Sequence, residues 1–138
     1  MYECQHWGIF ELVDRETYRR FGERAWMFFD KESLLMIDGI REYFDAPMII
    51  NDWYWFGNYE WSGLRTIGYM GGSEWSFHRL AKGFDIKCKY LSAENMRTEI
   101  LANQNHKLLK RINRMEAGRP WLHVDRANIT NRIEVFYP

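Results

Sequence analysis

Cysteine is scarce in this chain, two among 138 residues, and that excludes a disulfide-stapled scaffold. Cys4 and Cys88 are expected as two buried thiols of a reducing compartment, with a single bridge between them as the alternative. Net charge is missing as well: 19 Lys and Arg balance 19 Asp and Glu. With no basic excess to track a phosphate backbone and no acidic tail, a nucleic-acid partner is not expected. Long apolar runs are absent too. No stretch reaches the ~18 consecutive apolar residues of a membrane span, and residues 1–10, MYECQHWGIF, have neither the basic start nor the apolar centre of an export signal. Membrane insertion and a signal peptide are therefore not expected. The glycine pair Gly71-Gly72 lacks the lysine and helix context of a phosphate-binding loop and reads as a turn.

What is present is globular. A chain of 138 residues is one domain's worth, expected to span 1–138 and to bury about two-thirds of its unfolded surface. Aromatic residues make up 17 %, including seven Trp, more than a core alone calls for and suited to a core plus a ligand platform.

Two short stretches carry chemistry. In SFHRLAKGFDI, His78 and Asp85 lie seven residues apart, a spacing that matches neither one face of a helix nor one face of a strand. A loop must fold between them. Gly83 supplies flexibility just before Asp85, and Phe84, Ile86 and Cys88 then alternate as the apolar positions of a strand. In PWLHVDR, alternation puts Trp121, His123 and Asp125 on one face and Leu122 and Val124 on the other, which reads as core. Two imidazoles and one carboxylate make the three-ligand set of an open catalytic zinc site. Taken alone, a histidine in a strand is more often a hydrogen-bonded structural residue, so a buried cluster of His78, Asp85 and His123 without metal stays open beside it.

These stretches, Ser76-Phe77-His78, Asp85 and His123-Val124-Asp125, follow an upstream Ser62-Gly63-Leu64-Arg65-Thr66. In that order, over about half of the chain, they resemble the zinc D,D-carboxypeptidase and L-alanyl-D-glutamate endopeptidase family of the hedgehog/DD-peptidase fold. The resemblance implies an α+β domain, a small antiparallel sheet with helices packed on one side. It implies Zn2+ held by His78, Asp85 and His123, and Arg65 near the metal, pairing with a substrate carboxylate or polarised carbonyl. The implied substrate is bacterial peptidoglycan, cut in its peptide stems or cross-links. A cell-wall enzyme without an export signal fits a phage lysis or virion protein, made in the host cytoplasm and acting at the wall or within a virion. One position departs from the pattern. The family's general base commonly sits three residues before the last ligating His, and here that residue is Pro120. Glu116 is the candidate replacement, swung inward by a turn at Gly118 and Pro120; Asp125 is favoured as a support for the His123 imidazole, with a role as base as its alternative. The rival reading is a catalytically impaired virion-structural or peptidoglycan-binding protein that retains the fold.

The remaining chain reads as scaffold. Asp14 caps a helix of about fourteen residues with Gly22 inside it, and Asp30 caps a second, striped by Leu34, Ile37, Arg41 and Phe44 and ended by Asp45-Ala46-Pro47. Residues 48–50 read as a buried strand. Residues 51–61 hold six aromatics in eleven positions, an insertion relative to the family. A hairpin tip at Gly57-Asn58 would present Trp53, Trp55 and Trp61, beside Ser76, as a surface for sugar rings or a peptide stem; a loop completing the core is the alternative. Arg65 is expected on a strand, and Ser92 to cap a helix carrying Met96, Ile100 and Leu101 to about Asn105. His6 and His106 carry no site. Residues 107–115 read as a solvated basic face that could meet anionic wall polymers, and residues 131–136 as a closing strand.

Overall fold

The computed structural model describes residues 1–129 and 132–138, so Asn131 of the expected closing strand lies outside the described residues. The helices start where side-chain oxygens satisfy their free amides. Asp14 accepts from Thr17 N at the head of α1 (Arg15–Phe21), Asp30 from Ser33 N at the head of α2 (Lys31–Phe44), and Ser92 from Asn95 N at the head of α3 (Ala93–Ala102). The first helix is half the expected length. Gly22 adopts φ +52, and the chain continues as a 3-10 segment, Gly22–Phe28, instead of an α-helix. The second runs as expected and stops where Asp45 turns left-handed, φ 48. The third ends at Ala102, short of Asn105, with Leu101 37 % exposed.

Five strands, β1 (Met48–Ile49), β2 (Gly83–Cys88), β3 (Arg114–Glu116), β4 (Leu122–Asp125) and β5 (Glu134–Phe136), form one sheet in the order β1-β2-β4-β3-β5. The expectation of an antiparallel sheet holds for three pairings and fails for one: β3 and β5 run parallel. The reason is topological. β4 turns back along β3, and the chain then crosses from the end of β4 to the outer edge beside the start of β3, which forces β5 into the direction of β3. The closing strand is thus a parallel edge strand beginning at Glu134.

Register sorts the side chains onto two faces. Phe84 lies opposite Val124, Ile86 opposite Leu122, and Met115 opposite Val124, so these five share the apolar face. All are fully buried and join Leu34, Ile37 and Ile40 of α2 and Met96 and Ile100 of α3 in one core. Each large side chain there contributes about 1.5–3 kcal/mol through burial. Phe29 stacks on Phe84 from the segment between the helices, ring centroids 6.0 Å apart. The opposite face carries Asp85, His123, Asp125, Arg114 and Glu116. Mixed α and β elements with a small five-stranded sheet and three α-helices make this an α+β fold. Among the described residues no helix is long and apolar enough to cross a membrane. Cys4 and Cys88 are free thiols and only half-buried.

Candidate metal centre

Asp85 on β2 and His123 on β4 are direct cross-strand partners, so the sheet itself brings two of the three expected ligands together. The third, His78, arrives from the turn that leads into β2. Ser76 Oγ accepts from His78 N at 3.2 Å, and Lys82 N closes onto Phe77 O at 2.9 Å, curling the chain back over the strand. Space is tight at Gly83: a Cβ on it would lie 3.0 Å from His78 N and 3.1 Å from Phe77 C. Close packing, more than flexibility, explains that glycine.

One donor atom from each of His78, Asp85 and His123 lies within 4.8 Å of the others, and all three residues are buried. His78 Nδ1 donates to Gly63 O at 2.9 Å, which leaves Nε2 facing Asp85 Oδ1 at 3.3 Å. His123 Nδ1 lies 2.9 Å from the same Oδ1, while its Nε2 meets Asp125 Oδ2 at 2.9 Å. Each imidazole therefore has one nitrogen held by an outer partner and the other aimed at a shared point, the arrangement that orients metal-binding histidines. Tetrahedral coordination at ~2.1 Å places donor atoms about 3.4 Å apart; the two nitrogen-to-Asp85 separations, 3.3 and 2.9 Å, lie close to that. Two nitrogens and one carboxylate oxygen could hold a divalent metal ion.

The surroundings fix the charge states. Burial alone would raise the Asp85 carboxyl, but hydrogen bonds from His123 and His78 outweigh it and hold the group well below the usual carboxylate range. Burial would lower His123, yet its bonds to Asp125 and Asp85 win and raise it to about 9, so without metal it is an imidazolium between two carboxylates. Asp125 has no exposed surface, and Arg114 grips it through Nε and Nη2, both at 2.9 Å. With one oxygen also shared with His123, Asp125 is placed to orient that imidazole.

Arg65 reaches Asp85 Oδ2 through Nη2 at 3.4 Å and lies 4.5 Å from the Tyr69 ring centre. It sits on an irregular segment outside the sheet, not on the expected strand. That segment is pinned by Leu64 N to Leu12 O at 2.8 Å and by Asp85 N to Ser62 O at 2.8 Å. Gly63 is obligatory within it, because a Cβ would approach Leu12 O to 2.2 Å.

Glu116 lines the same cleft, but by a route other than the expected turn: on β3 it is the cross-strand neighbour of His123. Ser76 lines it too. The three Trp assigned to substrate do not. Residues 53–55 form a 3-10 turn and no hairpin; Trp53 donates its indole N–H to Val13 O at 2.8 Å, and Trp55 packs edge-on to Phe10. Trp61 borders a neighbouring groove near Arg15 and Glu60. The aromatics of the cleft are instead Tyr69, Trp75, Phe77, Trp121 and Phe136.

Sequence reasoning missed two residues that hold the site. Arg114 was submerged in the basic run at residues 107–115. Lys87 follows Asp85 by two on the same strand face and donates to Ser62 Oγ at 2.7 Å and Ile50 O at 2.6 Å. Burial lowers its ammonium to about 8. A lysine at an inward position of a buried strand was the available signal for it.

Set against known proteins, the chain matches no family model, no curated protein and no solved structure.

Proposed function

We propose that the chain is a zinc-dependent peptidase of hedgehog/DD-peptidase type that hydrolyses the peptide stems or cross-links of bacterial peptidoglycan, in a phage-type lysis or virion setting. The observation that carries the reading is the buried His78, Asp85 and His123 set with both imidazoles oriented by outer partners. Zinc bound by these three supplies Lewis acidity, polarising a carbonyl and bringing water ionisation towards neutral pH. The chain does the rest. Glu116, facing the cleft beside His123, takes the proton of the attacking water and passes it to the leaving amine. Arg65 presents a guanidinium beside Asp85 to the oxygen that gains charge or to a substrate carboxylate. Asp125 and Arg114 keep the His123 ring in place.

The test is mass spectrometry of purified peptidoglycan incubated with the protein and zinc, in parallel with chelator. New stem-peptide fragments that disappear with chelator are expected. Intact wall from several bacterial chemistries, with stoichiometric zinc bound, would instead favour a binding or virion-structural protein that has lost turnover.

Zinc affinity should depend steeply on pH. His123 must give up the Nδ1 proton to bind metal, and in the metal-free protein it is protonated up to about 9. Apparent affinity should therefore rise by up to about tenfold per pH unit from ~6 to ~9 and flatten above, with about one proton released per zinc from this group. Competition titrations with a chromogenic chelator, and calorimetry in buffers of different ionisation enthalpy, check both. A flat profile across that range would show that His123 is not a ligand.

A further inference from the structure

The cleft is lined by three arginines, and their commitments differ. Arg65 spends Nε on Trp61 O at 2.8 Å and Nη2 on Asp85. Arg114 spends Nε and Nη2 on Asp125, its guanidinium carbon lying 4.7 Å from the Phe77 ring centre and 4.4 Å from that of Phe136. Arg119 is different. Among the described residues the only hydrogen bond of its side chain runs from Nε to Glu116 Oε1, at 3.1 Å, leaving both Nη groups without a protein partner. Its side chain is 41 % exposed, and its guanidinium lies 5.6 Å from the Trp121 ring centre.

The turn that carries Arg119 is rigidly built. Arg97 of α3, only 5 % exposed, donates to three backbone carbonyls of this turn: Glu116 O at 3.4 Å, Trp121 O at 3.2 Å and Arg119 O at 3.2 Å. Gly118, at φ +76, makes the bend. A buried guanidinium spent on three carbonyls holds the backbone under a second guanidinium, which faces the cleft with a free donor edge. A planar fork of this kind matches a carboxylate.

Resting on the peptidase reading above, we propose that Arg119 is a specificity-determining residue that reads a free carboxylate of the substrate, and that Glu116 is its internal stand-in until substrate arrives. The incoming carboxylate exchanges for Glu116 on Arg119. Glu116 is thereby released to the cleft only when a substrate of the right charge is in place. In stem peptides the matching chemistry is either the free α-carboxyl of a γ-linked glutamate or the C-terminal carboxyl.

Three tripeptide probes separate these sources: L-alanyl-γ-D-glutamyl-L-lysine, the same peptide amidated at the glutamyl α-carboxyl, and the same peptide amidated at its C-terminus. Binding to the zinc-supplied full chain is measured by calorimetry, with kcat/KM added where a probe is turned over. One of the two amidations should weaken wild-type binding by about tenfold or more. In R119Q and in R119M, whose stem still covers Trp121, that penalty should fall to within about twofold. E116Q, which lacks the competing charge, should bind the free-carboxylate probe more tightly than wild type by about threefold or more while the amidated probe is little changed. Indifference of the wild type to both amidations, or an undiminished penalty in folded R119Q or R119M, would overturn the proposal. Hydrolysis without carboxylate discrimination would remove Arg119 and leave the peptidase standing; discrimination without hydrolysis would do the reverse.

Discussion

Glu116→Gln should lower stem-peptide hydrolysis by about 10²–10⁴-fold while leaving zinc stoichiometric. The position expected by resemblance to supply a carboxylate is occupied by Pro120, which has no acid to offer. Of the carboxylates lining the cleft, Asp85 is a ligand candidate, and Asp125 has its oxygens taken by Arg114 and His123 with no exposed surface. That leaves Glu116. Its side chain, 15 % exposed, is engaged by the partly exposed Arg119, and cross-strand pairing with His123 puts it on the sheet face that carries Asp85 and His123. The amide keeps the shape of the side chain and removes its ability to carry a proton, so metal content should not change. Steady-state rates on a soluble stem peptide, paired with zinc quantification by mass spectrometry, make the comparison. Turnover within tenfold of wild type would take Glu116 out of the chemistry.

The parts of this fold that were legible in the sequence are those governed by local periodicity. Alternation at residues 84–88 and 121–125 assigned the right side chains to each sheet face, because a strand's period of two is written in the chain itself. Asp14, Asp30 and Ser92 marked helix starts for the same reason: capping is a matter of three neighbouring residues. Long-range choices were not legible. The direction of β5 depends on where the chain re-enters the sheet after β4, and nothing within Glu134–Phe136 encodes it. The aromatic run at residues 51–61 has the composition of a binding surface, yet Tyr54 stacks on Phe10 with centroids 4.2 Å apart and Trp53 binds Val13 O, partners some forty residues away. Composition states that rings will be buried or stacked; only tertiary packing states against what. Gly22 was placed inside a helix of about fourteen residues, but its positive φ ends α1 there and a 3-10 segment follows. His78, Asp85 and His123 were singled out because their order resembled a known pattern, and the structure brings them together, whereas their support by Arg114 and Lys87 lay in residues whose type usually signals solvent.

Arg114→Met should destabilise the metal-free protein by about 1–3 kcal/mol at pH 7, the cost of removing one of the two cationic partners of a buried carboxylate and leaving its Oδ1 without a donor, while His123 stays on Oδ2. Arg114 makes both parallel hydrogen bonds to a fully buried Asp125, and its guanidinium is packed near Phe77 and Phe136. Methionine retains much of that packing, so the loss reads out the charge. Burial raises the Asp125 carboxyl, but His123 and Arg114 together hold it below its ordinary value. A depressed carboxylate contributes stability above its unfolded pKa of ~3.9 and loses that contribution as pH falls through the folded value. The difference between wild type and Arg114→Met should therefore be full at neutral pH and shrink below about 4. Combining it with Asp125→Asn should cost less than the sum of the two single changes, since the second removes the charge that the first strands. Denaturant midpoints at pH 7 and at acid pH provide both comparisons. Strict additivity of the pair would mean that Arg114 acts through packing alone, and the His123 ring would then depend on Asp125 without depending on the arginine behind it.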